Sequence, residues 1–233
     1  IESVRKALKI AIKSGRILQH MINDRLDFSQ ITNKTLRLTN RVISVETVIS
    51  NVSKLIKFQA KQKGLVFSIE NFLDRRAALY ADPLRVQQIL INLLGNALKF
   101  TRRGKITLKI TSHKSCDGEE ELAKLSVIDT GQGIKDEDIP KLFRLFGKLE
   151  MSDYDNVQHT GVGLGLAISQ NLALMILPNE SGGGIKVRSV FGEGSEFYFS
   201  IPLITDDQNT EEFQENLETK FPDARCMEPA LFI

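Results

Sequence analysis

The sequence predicts an α+β fold preceded by a long helix. Three observations predict it. Apolar residues (Val4, Leu8, Ala11, Ile12, Leu18, Met21, Ile22, Leu26, Phe28) recur at helical spacing from residue 3 to 31. Asp82-Pro83 then opens a second, strongly two-faced helix. Alternating segments such as "KITLKITS", "LAKLSVID" and "SEFYFSIPL" supply the strands.

The elements follow in order. A helix over 3–31 carries one weak point, Gly15, and cannot bury its apolar stripe alone, so it needs a partner helix. "TLRLTNRVISV" reads as a strand. A helix from Val45 to Lys63 ends at Gly64, and "LVFSIE" is the next strand. The helix opened by Asp82 stops near Gly104. Two strands follow, the second running into glycine-rich sequence. The polar segment from Gly147 to Thr160 is long for a connection and reads as a mobile loop. "VGLGLAISQNLALMI" is a helix, and "GIKVRSVF" and "SEFYFSIPL" pair as a hairpin around Gly192-Glu193-Gly194. From Thr205 the chain becomes acidic and poor in apolar residues, which reads as a linker or tail.

Bulk composition narrows the classes. The chain has 233 residues, 42% apolar and 26% charged, which suits a soluble globular protein. A net charge of +2 gives no case for a nucleic-acid partner. Two cysteines, Cys116 and Cys226, make neither a disulfide framework nor a metal pair, and fit a reducing, cytoplasmic setting. No run approaches the roughly 18–20 apolar residues of a membrane helix. The start lacks an initiator Met and a signal-peptide pattern, so the chain reads as an excerpt of something longer, whose full length could carry a membrane anchor.

Within "INLLGNALKFT", Asn92 and Asn96 stand one turn apart in otherwise apolar helix. On a helix, Val86, Ile89, Leu90, Leu93, Leu94 and Ala97 share one face, while Arg85, Gln88, Asn92, Asn96 and Lys99 line the other. The asparagines therefore belong to a polar stripe that ends in a cation. A solvated helix face explains that stripe equally well by itself. Further along, "VIDTGQGI" sets Asp129 at a strand end, where a carboxylate can accept a hydrogen bond from an exocyclic amine, and Gly131 and Gly133 let the backbone approach a flat ligand. "TGVGLGLAI" places Gly161, Gly163 and Gly165 at a helix start, where backbone amides can meet phosphate oxygens.

The three segments, in this order, resemble the ATP-binding domain of sensor histidine kinases, which shares a superfamily with DNA gyrase, the mismatch-repair MutL ATPases and the large heat-shock chaperone. "NLLGNALKFT" is similar to that family's N box, "DTGQGI" to its first glycine box, "KLFRLF" to its F box, and "GVGLGL" to its second glycine box. The resemblance covers about Leu36 to Leu203, and "MINDRLDFSQI" extends it weakly into the second helix of a dimerisation hairpin. It implies a two-layer sandwich with a mixed sheet packed on helices. It also implies three parts: residues 1–35 as part of the hairpin, 36–204 as the ATP-binding catalytic domain, and 205–233 as an acidic tail that can lead to a receiver domain.

The resemblance further implies roles. Asn96 would coordinate Mg²⁺ on the ATP phosphates, Asn92 would sit beside the γ-phosphate, and Lys99 would reach the phosphates. Asp129 would read the adenine amine, with Phe100 and Ser195 near the base and Gly131, Gly133 and Ile134 shaping the loop around it. Phe143 and Phe146 would come from the F box. Thr160, Gly161, Val162, Gly163 and Gly165 would hold the phosphate end, braced by Leu164 and Leu166. Hydrolases of the superfamily resemble one another in having a general-base Glu where this chain has Asn92. An amide has no basicity near neutral pH, so phosphoryl transfer to a partner histidine is expected rather than hydrolysis. A catalytically silent ATP-binding module is the alternative. None of His20, His113 and His159 matches the family's acceptor, which is expected upstream of Ile1, with a homodimer formed through the hairpin and a receiver Asp as the next acceptor.

Overall fold

The computed structural model describes residues 2–115, 118, 120–144, 163–178 and 182–204. They form four helices, α1 (Glu2–Thr32), α2 (Val45–Gln62), α3 (Pro83–Phe100) and α4 (Gly165–Ile176), with a short 3-10 turn at Asp136–Lys141. Seven strands accompany them: β1 (Arg41–Ser44), β2 (Val66–Asn71), β3 (Ala78–Ala81), β4 (Lys105–Lys114), β5 (Glu121–Asp129), β6 (Lys186–Val190) and β7 (Gly194–Ile204).

The strands make one mixed sheet in the order β1-β3-β7-β5-β4-β2, with β6 paired to β7. Only the β2–β4 pair is parallel. β7 organises the sheet. Along one edge it pairs with β5, and along the other it pairs first with β6 and then, at Leu203 and Ile204, with β3. The result is the α+β, two-layer arrangement that the sequence implies.

Register decides where the core stops. Ile110, Leu125 and Phe199 lie side by side across β4, β5 and β7, and Leu108, Val127 and Phe197 form the next row. All six belong to the buried core beneath the helices. One step further, the row reads Ile106, Asp129, Ser195. Because alternate residues of a strand share a face, Asp129 and Ser195 point to the helical side, at the end of the core. The opposite face is polar. There Glu196 takes hydrogen bonds from Lys124 and Ser126 at 2.8 and 2.9 Å. Burial opposes its charge, but Lys124, Ser126 and Arg188 together hold its carboxyl below the ordinary range.

α3 is the central helix, touching α2 on one side and α4 on the other. Its apolar face is the one read from the sequence: Val86, Ile89, Leu90, Leu93, Leu94 and Ala97 are all buried. Both ends are fixed. At the N-terminus Asp82 Oδ1 accepts from the Leu84 and Arg85 amides, while Oδ2 accepts from the Thr39 amide at 3.0 Å. At the C-terminus Lys63 Nζ donates to the Leu98 carbonyl at 2.7 Å, placing a cation where the helix dipole is negative.

The departures from the sequence reading are local. Only Arg41–Ser44 of "TLRLTNRVISV" is strand, because residues 35–40 are the connection that Asp82 holds through Thr39. β3 escapes sequence reading. Its four residues, "ALYA", are too short to show alternation, and they form a strand because β1 and β7 flank them. The segment Gly147–Thr160 and the tail from Thr205 to the end lie outside the described residues.

Asp82 caps α3 and also ties down the preceding connection, so its removal costs more than a simple cap. Asp82→Ala is expected to lower unfolding free energy by about 1–3 kcal/mol. Urea titration should show a lower midpoint with unchanged slope.

Candidate functional site

The polar face of α3 is divided between two neighbours. Its first turns meet α1. Arg85 Nη1 donates to Asp27 Oδ1 and Gln88 Nε2 to Asp27 Oδ2, each at 2.8 Å. Arg85 also donates to Gln88 Oε1 at 2.8 Å, closing a ring of three side chains. The last turns, with Asn92, Asn96 and Lys99, lie beyond that contact, and Asn92 meets α4.

Asn92 is engaged by α4. Its Nδ2 donates to Ser169 Oγ at 2.9 Å. Gly165, one turn earlier on α4, lies directly against the same amide: a Cβ there would fall on Asn92 Oδ1 and stand 3.1 Å from Cγ. Glycine is thus needed for packing at the start of α4. Asn96 is half-buried, and its side chain makes no hydrogen bond among the described residues. Lys99 Nζ stands 4.9 Å from the centre of the Phe100 ring, a cation–π distance. α4 begins without a side-chain cap, after Gly163 in a left-handed conformation at φ +77°. Its first amides are therefore not satisfied by a capping side chain.

At the sheet end, Asp129 is 8% exposed. Oδ1 accepts from the Gly131 amide at 2.8 Å and from Thr101 Oγ1 at 3.5 Å. Oδ2 has no hydrogen bond among the described residues. Burial pushes this carboxyl above the ordinary carboxylate range, and the hydrogen bonds from Gly131 and Thr101 only partly offset it. The loop after Asp129 is clamped to the β6–β7 hairpin. The Ile134 amide donates to Ser189 Oγ at 2.8 Å, Ser189 Oγ donates to the Gly194 carbonyl, and the Gly192 amide donates to the Gln132 carbonyl at 2.7 Å. Ser189 and Ser195 hydroxyls lie 3.0 Å apart. Gly133, at φ +66°, sits where any Cβ would meet the Val190 carbonyl.

The fold therefore brings together Asn92, Asn96, Lys99 and Phe100 from α3, and Asp129, Gly131, Gly133, Ile134 and Ser195 from the sheet end. Gly163, Leu164, Gly165 and Leu166 come from the start of α4, with Leu164 buried in the core and Leu166 packed on it. Phe143 also packs on the core. Phe146, Thr160, Gly161 and Val162 lie outside the described residues. Sequence reasoning missed Thr101, Ser169 and Ser189. Thr101 follows Phe100 directly, and Ser169 lies one helical turn after Gly165, so helical spacing could have flagged it. Ser189 faces the site only through strand register, which no local pattern reports.

The family model of histidine kinase-, DNA gyrase B- and HSP90-like ATPases matches residues 81–205, more than half of the chain. The chain belongs to this ATPase family. Its match is to the catalytic ATP-binding domain of sensor histidine kinases. The hybrid signal transduction histidine kinase B of Dictyostelium discoideum is 35% identical over 205 residues, 87% of this chain and 10% of that protein. The sensor protein GacS of Pseudomonas syringae pv. syringae is 36% identical over 200 residues, 86% of this chain and 21% of that protein. The chain thus spans a quarter or less of the length of such relatives. Among solved structures, full-length ShkA in complex with AMPPNP superimposes with a TM-score of 0.65 at 30% identity, over 83% of this chain and 37% of that one. No described helix is long and apolar enough to cross a membrane.

Two outcomes test this candidate site. Gly165→Ala is expected to displace Asn92 and weaken binding of ATP at least about fivefold, the scale of losing one hydrogen-bonded contact. Fluorescence titration with a labelled nucleotide measures it, with circular dichroism as the folding control. Asp129→Asn is expected to lose adenine-nucleotide binding without losing stability. The sign follows from burial. A raised carboxyl binds its proton more readily when folded, so its stability contribution is present at low pH and lost as pH rises through the raised pKa. At neutral pH the charge is a net cost that the amide removes, so the melting temperature of the ligand-free variant should equal or exceed that of the wild type. Wild-type affinity should fall on acidification through the same window, because a protonated Asp129 donates where the amine needs an acceptor.

Proposed function

We propose that the chain is the ATP-binding catalytic core of a sensor histidine kinase, which passes the ATP γ-phosphate to a histidine on a dimerisation hairpin for two-component phosphorelay. The observation that carries this reading is the division of the α3 polar face. Its amide-bearing end meets the glycine-led start of α4 through Asn92, with Asn96 and Lys99 following on the same helix, while Asp129 waits at the edge of the core with one carboxylate oxygen to spare among the described residues.

The donor set fits a magnesium ion that keeps most of its own ligands. Among the described residues no group of three carboxylate, histidine or cysteine side chains converges. Mg²⁺ takes oxygen ligands at octahedral positions and is commonly held by one or two protein oxygens plus phosphates and water. Asn96, with an amide oxygen not engaged among the described residues, would hold it. When bound, the ion neutralises charge on the triphosphate. The chain's own residues do the rest. Asn92 is positioned beside the γ-phosphate, Lys99 adds a point charge, the first amides of α4 receive phosphate oxygens, and Asp129 Oδ2 accepts from the adenine amine beside Phe100 and Ser195. Asn92 is an amide already tied to Ser169, so it offers no base to activate water. Asp27, the carboxylate that α1 sets against the polar face of α3, is tied to Arg85 and Gln88. Both favour phosphoryl transfer over hydrolysis, with positioning and charge neutralisation supplying the rate.

In this reading residues 1–35 are the second helix of the hairpin, 36–204 the catalytic domain, and 205–233 a tail leading toward a receiver. The exposed apolar residues Leu8, Ile12, Leu18, Ile22 and Leu26 on α1 support a helical partner there, which would form the homodimer and bring the phosphoacceptor from upstream of Ile1. The catalytic part works in the cytoplasm, whatever anchors the whole protein.

Calorimetry tests the reading. Mg²⁺·ATP is expected to bind the wild-type chain, and Asn96→Ala is expected to lower the affinity at least tenfold in magnesium while changing binding in chelator little. A wild-type chain that is folded and gives no heat with ATP would sink the proposal. Joined to its own upstream segment, the chain should incorporate label from γ-labelled ATP into an acid-labile phosphohistidine. Binding without such labelling would favour the silent module.

A further inference from the structure

α4 holds Asn92 at two points one turn apart. Ser169 Oγ accepts the Asn92 amide N–H at 2.9 Å, and Gly165 lies flat against Oδ1. Ser169 is 1% exposed. Its neighbours on the same helix, Ala167, Ile168, Leu172 and Ala173, are buried and apolar. A hydroxyl placed among them contributes nothing to apolar packing, yet it reaches a side chain 77 residues away in sequence.

The χ2 torsion of an asparagine is broad and roughly two-fold, so an amide without a fixed partner samples both faces. Here one amide hydrogen is committed to Ser169 and Oδ1 lies against Gly165, which fixes the plane and leaves the second N–H as the donor without a partner among the described residues. We propose that Ser169 is a positioning residue that orients the Asn92 amide toward the terminal phosphate of ATP. Ser169 itself touches no nucleotide. This deepens the ATP reading and rests on it for the identity of the phosphate. The Ser169–Asn92 bond exists in the ligand-free chain and can be tested there.

A preference for one amide orientation set by a single hydrogen bond amounts to about five- to tenfold in population. The test uses Ser169→Ala with two probes, ADP and a non-hydrolysable ATP analogue, each with Mg²⁺, in calorimetry. In parallel, the Asn92 side-chain amide pair is identified in nitrogen–proton spectra of the ligand-free chain by its loss in Asn92→Ser. Ser169→Ala is expected to weaken the ATP analogue about five- to tenfold and ADP less than about twofold. It should also move the Asn92 amide pair toward the position of solvent-exposed asparagines. A merely structural hydroxyl would weaken both nucleotides alike or neither. Either result overturns the proposal, as does an Asn92 pair that stays in place. If the wild-type chain binds neither nucleotide, the ATP reading itself falls and takes this role with it. That outcome is separate from a wild type that binds both and a variant that has lost no selectivity.

Discussion

Everything at this site depends on α3 having two incompatible faces. One must be dry, because the core of the sheet lies against it. The other carries two amides and a cation, which need partners or water. The helix cannot rotate without exposing Leu90 and Leu94 or burying Asn96, so its angular position is fixed within narrow limits. Asp82 at one end and Lys63 at the other fix it along its axis. The polar face is then apportioned by what packs beside it. α1 takes the Arg85 and Gln88 end through Asp27, and α4 takes Asn92 through Ser169. Asn96, whose side chain makes no hydrogen bond among the described residues, is where the proposed function seats the metal and phosphates.

The sheet supplies the second half by the same logic. Strand register carries the rows of core residues outward until the third row meets Asp129 and Ser195 in place of further apolar side chains. Burial there works against the charge on Asp129, so the carboxylate is held at a cost that a ligand donor would offset in the proposed function. Position, charge and cost point the same way. An acceptor kept half-satisfied at the edge of the core is an expensive feature unless something binds it.

How much of this could be read from sequence depends on the range of the interaction. The two faces of α3, its Asp82 cap and the β6–β7 hairpin rest on contacts within a few residues, and they stand in the structure as the spacing implies. The glycine boxes were legible as motifs, but their physical reasons were not. That Gly165 is required by Asn92, and Gly133 by the Val190 carbonyl, depends on distant segments meeting. β3 and Ser189 were invisible for the same cause, since neighbouring strands and register define them. Asp27 appeared in sequence only as part of a helix, and its link to Arg85 and Gln88 joins residues about sixty positions apart.

The central claim is that the metal–triphosphate end of ATP sits on the C-terminal half of the α3 polar face. Paramagnetic relaxation tests it most directly, with Mn²⁺ substituted for Mg²⁺ in the ATP complex and amide resonances followed along the chain. Broadening should be greatest at Asn92, Asn96, Lys99 and Gly163 to Gly165, should need nucleotide, and should spare Arg85 and Gln88 at the α1 end. Broadening centred elsewhere, with the Asn96 turn untouched, would contradict the account.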